Sequence, residues 1–97
     1  MNLEVTYEGR SWEPRVTMYR VVMGQFHGRV EKHNGQFIKL DLFLRLRSDW
    51  QVFYGYIVAD NKKELKQIIE KKISEFNHDV TKLNEFLMDF ETKKEDE

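Results

Sequence analysis

The chain has no cysteine at all. That absence excludes disulfide staples and thiolate metal sites, and it suits a reducing compartment, so a cytoplasmic location is the expectation. Proline is almost missing too. Pro14 is the only one, and with Gly9 it marks EGRSWEP as a loop. No apolar run approaches the ~18 residues of a membrane span, and MNLEVTYEGR lacks the apolar stretch of a secretion signal, so neither a membrane partner nor export is expected. There are no repeats, low-complexity tracts or linkers, and the formal net charge is only −1.

What is present is enough for one small folded unit. Leu, Ile, Val and Phe supply 28 of the 97 residues, well above the roughly one fifth below which chains stay unfolded. Charged residues make up 34%, so the surface is densely ionic. At this size folding buries only about 60–65% of the unfolded chain's surface, and the core is small. The charge is divided along the chain. Residues 1–59 carry a formal +2 and all six arginines, whereas 60–97 carry −3 and only lysine as base. Lys and Glu are good helix formers and fill helical surfaces; Arg, with its planar fork, concentrates where something is bound.

The first half reads as β. Asn34-Gly35 is a hairpin signal flanked by GRVEK and QFIKLDLFLRLR, and Ile38, Leu40, Leu42, Leu44 and Leu46 alternate as a core face. A two-residue Asn34-Gly35 loop would set Arg29, Glu31 and His27 opposite those leucines. A three-residue loop, His33-Asn34-Gly35, pairs Val30 with Ile38, Gly28 with Leu40 and Phe26 with Leu42, and the hydrophobic pattern selects it. The segment VTMYRVVM forms the preceding strand, continuous through a bend at Gly24 with FHGRVEK, and NLEVTY a shorter one. WQVFYGYIVA is apolar on both faces, so its register stays open.

The second half reads as α. Asn61 followed by Glu64 is a capping-box start, and Leu65, Ile68, Ile69, Ile73 and Phe76 line one stripe. Asn77-His78-Asp79 are poor helix formers, and Asp79 could cap a second helix. Yet Ile69, Ile73, Phe76, Val80, Leu83, Leu87 and Phe90 keep a 4-3 stepping through that point, as one continuous helix requires. The expected fold is α+β: an antiparallel β-meander of three to five strands (1–59), then one long C-terminal helix or a helix pair (60–91) packed on one face of the sheet. A single domain spans 1–91, with a charged flexible tail at 92–97.

Chemistry for catalysis is thin. His27, placed opposite Asp41 by the chosen register, reads as a solvent-side ion pair rather than a catalytic dyad, and Ser11, Ser48 and Ser74 lack an elbow-like setting. His27, His33 and Asp41 are too spread for a metal, and no glycine spacing fits a phosphate loop. No catalytic residue, metal or cofactor is therefore assigned. Binding has more support. The loop around Arg10, Trp12 and Arg15, and the group Arg45, Arg47 and Trp50 at the opposite hairpin end, carry the residue types enriched at protein interface hot spots. They point to a small interaction or regulatory protein with a protein partner. The alternative is RNA or single-stranded DNA on an aromatic sheet face of Phe37, Lys39, Phe43, Arg45, Tyr54 and Tyr56, which the near-neutral charge disfavours. A homodimer through the 69–90 helical stripe would cover its apolar positions.

Overall fold

Short connections fold the first half into strands that pair with their neighbours in the chain. The computed structural model describes residues 2–45 and 49–95, with helical side chains described through Thr81. Strands β1 (Glu4–Arg10), β2 (Val16–Met23), β3 (Phe26–His33), β4 (Gln36–Leu44) and β5 (Trp50–Ala59) form one antiparallel sheet in the order β1-β2-β3-β4-β5. One helix, α1 (Lys62–Glu95), follows. The fold is α+β, with the strand number at the upper end of the expected range.

Two turns differ from the sequence expectation. The β2–β3 segment does not run on through a bend. Met23 pairs with Phe26 across the two-residue turn Gly24-Gln25, with Gly24 at φ 61°, where a II′ turn needs glycine. The β3–β4 hairpin closes on two residues rather than three: His33 pairs with Gln36, and Asn34 (φ 51°) and Gly35 (φ 81°) have the paired positive φ of a type I′ turn. The leucines still meet apolar partners because a bulge at Ile38 resets the register, pairing Val30 with Leu40, Gly28 with Leu42 and Phe26 with Leu44. The extra residue sits within the strand instead of in the loop. Leu40 and Leu42 accordingly face the core and are buried, and Leu44 packs against them half-buried. At Gly28 a Cβ would run into the Asp41 carbonyl, so the missing side chain lets β4 come close.

In β5 the ambiguity of a doubly apolar strand resolves cleanly. Phe53, Gly55, Ile57 and Ala59 share the face of Leu42, Leu40 and Phe37, while Tyr54 and Tyr56 stand with Asp41 and Lys39 on the other. Ile57 and Ala59 are buried; Tyr56 and Val58 are 84% and 68% exposed.

The helix starts with the capping arrangement its sequence announces: the Glu64 amide donates to Asn61 Oδ1 (2.9 Å), and Glu64 Oε2 accepts from the Asp60 amide (2.7 Å). It lies on β5 and crosses until Ile73, Ser74 and Asn77 come beside Met23 of β2. Leu65, Ile69 and Ile73 are buried on the sheet, with Ile68 and Phe76 half-buried beside them. The helix passes through Asn77-His78-Asp79 without a break and is continuous to Glu95, so the charged segment from 92 begins inside it. No glycine or proline interrupts residues 62–95, and Thr81 Oγ1 donates to the Asn77 carbonyl across the segment (2.9 Å). Among the described residues no helix is long and apolar enough to cross a membrane.

Candidate functional site

The helix covers one face of the sheet, and among the described residues nothing covers the other. Pairing across the five strands lays that open face out in rows. The central row runs Thr6, Arg20, Arg29, Asp41, Tyr54, one residue from each strand. Toward the β2–β3 turn the next row is Glu4, Val22, His27, Phe43, Gln51; toward the β3–β4 turn it is Gly9, Met18, Glu31, Lys39, Tyr56. On this face a hollow of about 690 Å³ is lined by residues that include Arg20, Arg29, Arg45, Glu8, Asp41 and Asp49.

Arg20 and Arg29 are the feature of this face that folding does not explain. They lie directly opposite one another on β2 and β3, where like charges repel and weaken the sheet. One acid answers them in part: Glu8, brought forward by the bulge between Tyr7 and Gly9, places Oε1 3.7 Å from Arg29 Nε. Around the pair the hollow is of mixed sign. His27 Nε2 lies 3.1 Å from Asp49 Oδ1, and its ring is tilted 6.0 Å from that of Phe43. Gln51 Nε2 donates to Asp41 Oδ1 (3.1 Å). The carboxylate beside His27 is therefore Asp49 and not Asp41. The two-residue turn with its bulge sets Arg29, rather than His27, opposite Asp41.

The residues singled out from the sequence fall in three places. Arg10, Trp12 and Arg15 stay together at the β1–β2 loop. There the Val16 amide donates to the Glu13 carbonyl (3.4 Å), closing a turn with Pro14 second and Arg15 third, at φ 67°. Trp12 projects from it 91% exposed, and Arg10 borders a shallow cleft with Glu8, Met18 and Arg29. Arg45 and Trp50 lie at the far end of the sheet: Arg45 lines the hollow and its amide donates to the Gln25 carbonyl (2.8 Å), while Trp50 pairs with Leu44. The two groups occupy opposite ends and do not form one patch. Arg47 lies outside the described residues.

Of the aromatic-face residues, Lys39, Phe43, Tyr54 and Tyr56 share the open face with Arg45. Phe37 does not. The Ile38 bulge turns it to the helix side, where it is buried at the edge-on end of a Tyr7–Tyr19–Phe37 series (5.6 and 5.8 Å), with Lys32 Nζ 5.2 Å from its ring centre. Lys39 Nζ lies 5.0 Å from the Tyr54 ring centre, and Tyr54, as hydrogen-bond partner first and as charge second, holds that amine above the ordinary lysine range.

Arg20 and Arg29 themselves escaped the sequence reading. The signal was present: apolar residues on both sides of a Gly-X pair, VVM-GQ-F, announce a tight hairpin, and that hairpin alone sets the two arginines opposite each other. For a metal there is no support in the geometry, since among the described residues no three His, Asp or Glu side chains converge. Compared with protein-family models, curated proteins and solved structures, the chain matches none.

Proposed function

We propose that this chain is a non-enzymatic protein-binding module whose open sheet face receives an acidic segment of a partner, with Arg20 and Arg29 taking its carboxylates. The observation that carries the reading is the cross-strand arginine pair at the centre of an uncovered hollow. Like charges at directly opposite positions of neighbouring strands weaken the free sheet, and a bound carboxylate, which a guanidinium grips with two parallel donors, relieves them. Phe43 and the acids Glu8, Asp41 and Asp49 in the same hollow suit a partner that offers apolar groups and bases as well. A cytoplasmic partner fits a chain without cysteine.

The second reading, single-stranded nucleic acid, rests on Tyr54 and Tyr56 exposed on β5 beside Lys39, a platform on which bases could stack. Glu31, Asp41 and Asp49 on that face oppose a phosphate chain, and the net charge of −1 supplies no general attraction. Fluorescence anisotropy with a labelled glutamate-rich peptide and with labelled oligothymidine separates the two. The expected result is salt-sensitive peptide binding, weakened by on the order of a hundredfold in Arg20→Ser/Arg29→Ser, the scale of two lost charged contacts. Peptide binding unchanged by that variant overturns the reading. Oligothymidine binding that is lost in Tyr56→Ala establishes the alternative.

A further inference from the structure

The two edges of the sheet are protected very differently. At one edge β1 is charged at Glu4, Glu8 and Arg10 and is broken by the bulge at Gly9, devices that discourage pairing with another chain. At the other edge β5 runs ten residues, WQVFYGYIVA, with no charge and no proline. It is the one strand of the five without a charged side chain. Among the described residues no backbone hydrogen bond reaches its outer edge from a turn, loop or cap. A strand of this kind presents an open row of donors and acceptors and invites an added strand.

We propose that β5 pairs antiparallel with β5 of a second copy, joining two five-stranded sheets into one of ten strands. Several observations select a second copy over another occupant. Self-pairing about a two-fold axis sets the strand against its own sequence in reverse order, so charges of one sign on it would meet across the seam; β5, uncharged, avoids this in every register. The same axis, normal to the sheet, preserves both faces. Phe53, Ile57 and Ala59 stay on the helix side of both copies, and Tyr54, Tyr56 and Val58 of one copy face the same three residues of the other in reverse order on the open side. Beside the edge, Val58, Glu64, Gln67, Ile68 and Lys71 line a groove of about 340 Å³ between strand and helix, which extends the contact beyond the backbone.

This placement differs from a dimer along the 69–90 stripe. Ile69 and Ile73 are already buried on their own sheet and are not available to a partner. Leu83, Leu87 and Phe90 lie among the side chains outside the described set. Ten residues span about 34 Å, and a sheet edge about 10 Å thick gives a total contact at the small end of specific interfaces, so micromolar rather than nanomolar affinity is expected.

Sedimentation equilibrium of the full chain from about 1 to 300 μM, the range that brackets such an affinity, tests the proposal. The expected result is a monomer–dimer equilibrium whose dissociation constant rises at least about tenfold in Tyr56→Lys/Val58→Lys, because like charges then face each other across the seam. Both positions are exposed, so dilute variant and parent should melt together. Hydrogen exchange on the unaltered protein gives an independent reading: β5 amides should exchange several-fold more slowly at the high concentration, and β1 amides should not change. A monomer at the highest concentration overturns the proposal. So does a dimer indifferent to the lysine pair, or one without concentration-dependent protection of β5.

Discussion

Gly28 and Gly35 are the same residue type under opposite constraints, and the contrast shows what a single methyl group meets. At Gly35 an added Cβ touches nothing, but the backbone sits at φ 81°. Gly35→Ala should therefore cost about 1 kcal/mol, the penalty for a side chain in the left-handed region. At Gly28 a Cβ overlaps the backbone of the neighbouring strand, which cannot swing aside as a side chain does. Gly28→Ala should cost about 3 kcal/mol or more, at the upper end of overpacking penalties, and urea titrations of both variants check the order. Arg15 is the converse case. It holds φ 67° at the third position of a turn that favours glycine there, so Arg15→Gly should raise stability by up to about 1 kcal/mol. Trp12 is 91% exposed. Trp12→Ala should leave the melting temperature within the error of an ordinary surface substitution, about 0.5 kcal/mol, so any loss of partner binding in that variant would report contact and not unfolding.

Among the elements, the helix was the most legible from sequence and the sheet register the least, for a physical reason. A helix repeats one constraint many times, and the unbroken 4-3 stepping from Ile69 to Phe90 outweighed three poor helix formers at Asn77-His78-Asp79. Register hangs on single residues. The leucine pattern of β4 is satisfied equally by a longer loop or by a bulge, and nothing in the composition of QFIKL says that Ile38 is the extra residue; that choice moved Phe37 from the open face to the core. The site was legible only in part for the same reason. Arg45, Lys39, Phe43, Tyr54 and Tyr56 follow from strand parity, but Arg20 and Arg29 become neighbours only once Gly24-Gln25 is a turn and not a bend. The helix start carries its own test. Asn61 accepts the Glu64 amide, and Asn61→Ala should cost about 1 kcal/mol, the usual worth of an N-cap, in thermal unfolding. Ile69→Ala, which empties a fully buried site between helix and sheet, should cost about 2–5 kcal/mol. A smaller loss at Ile69 than at Asn61 would mean that the helix is held by its cap and not by the sheet.

At the scale of the whole molecule, the sheet is narrow and the helix long. Five strands at about 4.8 Å spacing span little more than 20 Å, whereas 34 helical residues at 1.5 Å rise reach about 51 Å. Leu65 to Phe76 accounts for the described packing on the sheet, so the helix projects well past it and the longest dimension is 62 Å. The radius of gyration of 17.1 Å compares with the ~13 Å of a compact chain of this length. The difference separates the two readings that the sequence left open. A helix pair broken at Asn77-His78-Asp79 would fold its second half back and bring the radius down toward the compact value. One continuous helix keeps it long. Small-angle scattering extrapolated to zero concentration, where β5 is unpaired, should give about 17–19 Å once hydration is included, with a distance distribution tailing to the full length of the helix. A value near 13–14 Å would mean that the chain turns at Asn77 in solution. Raising the concentration then makes the same measurement a test of the seam. Pairing along β5 places the two sheets side by side and doubles the forward-scattering mass, while association by non-specific aggregation would raise it without limit.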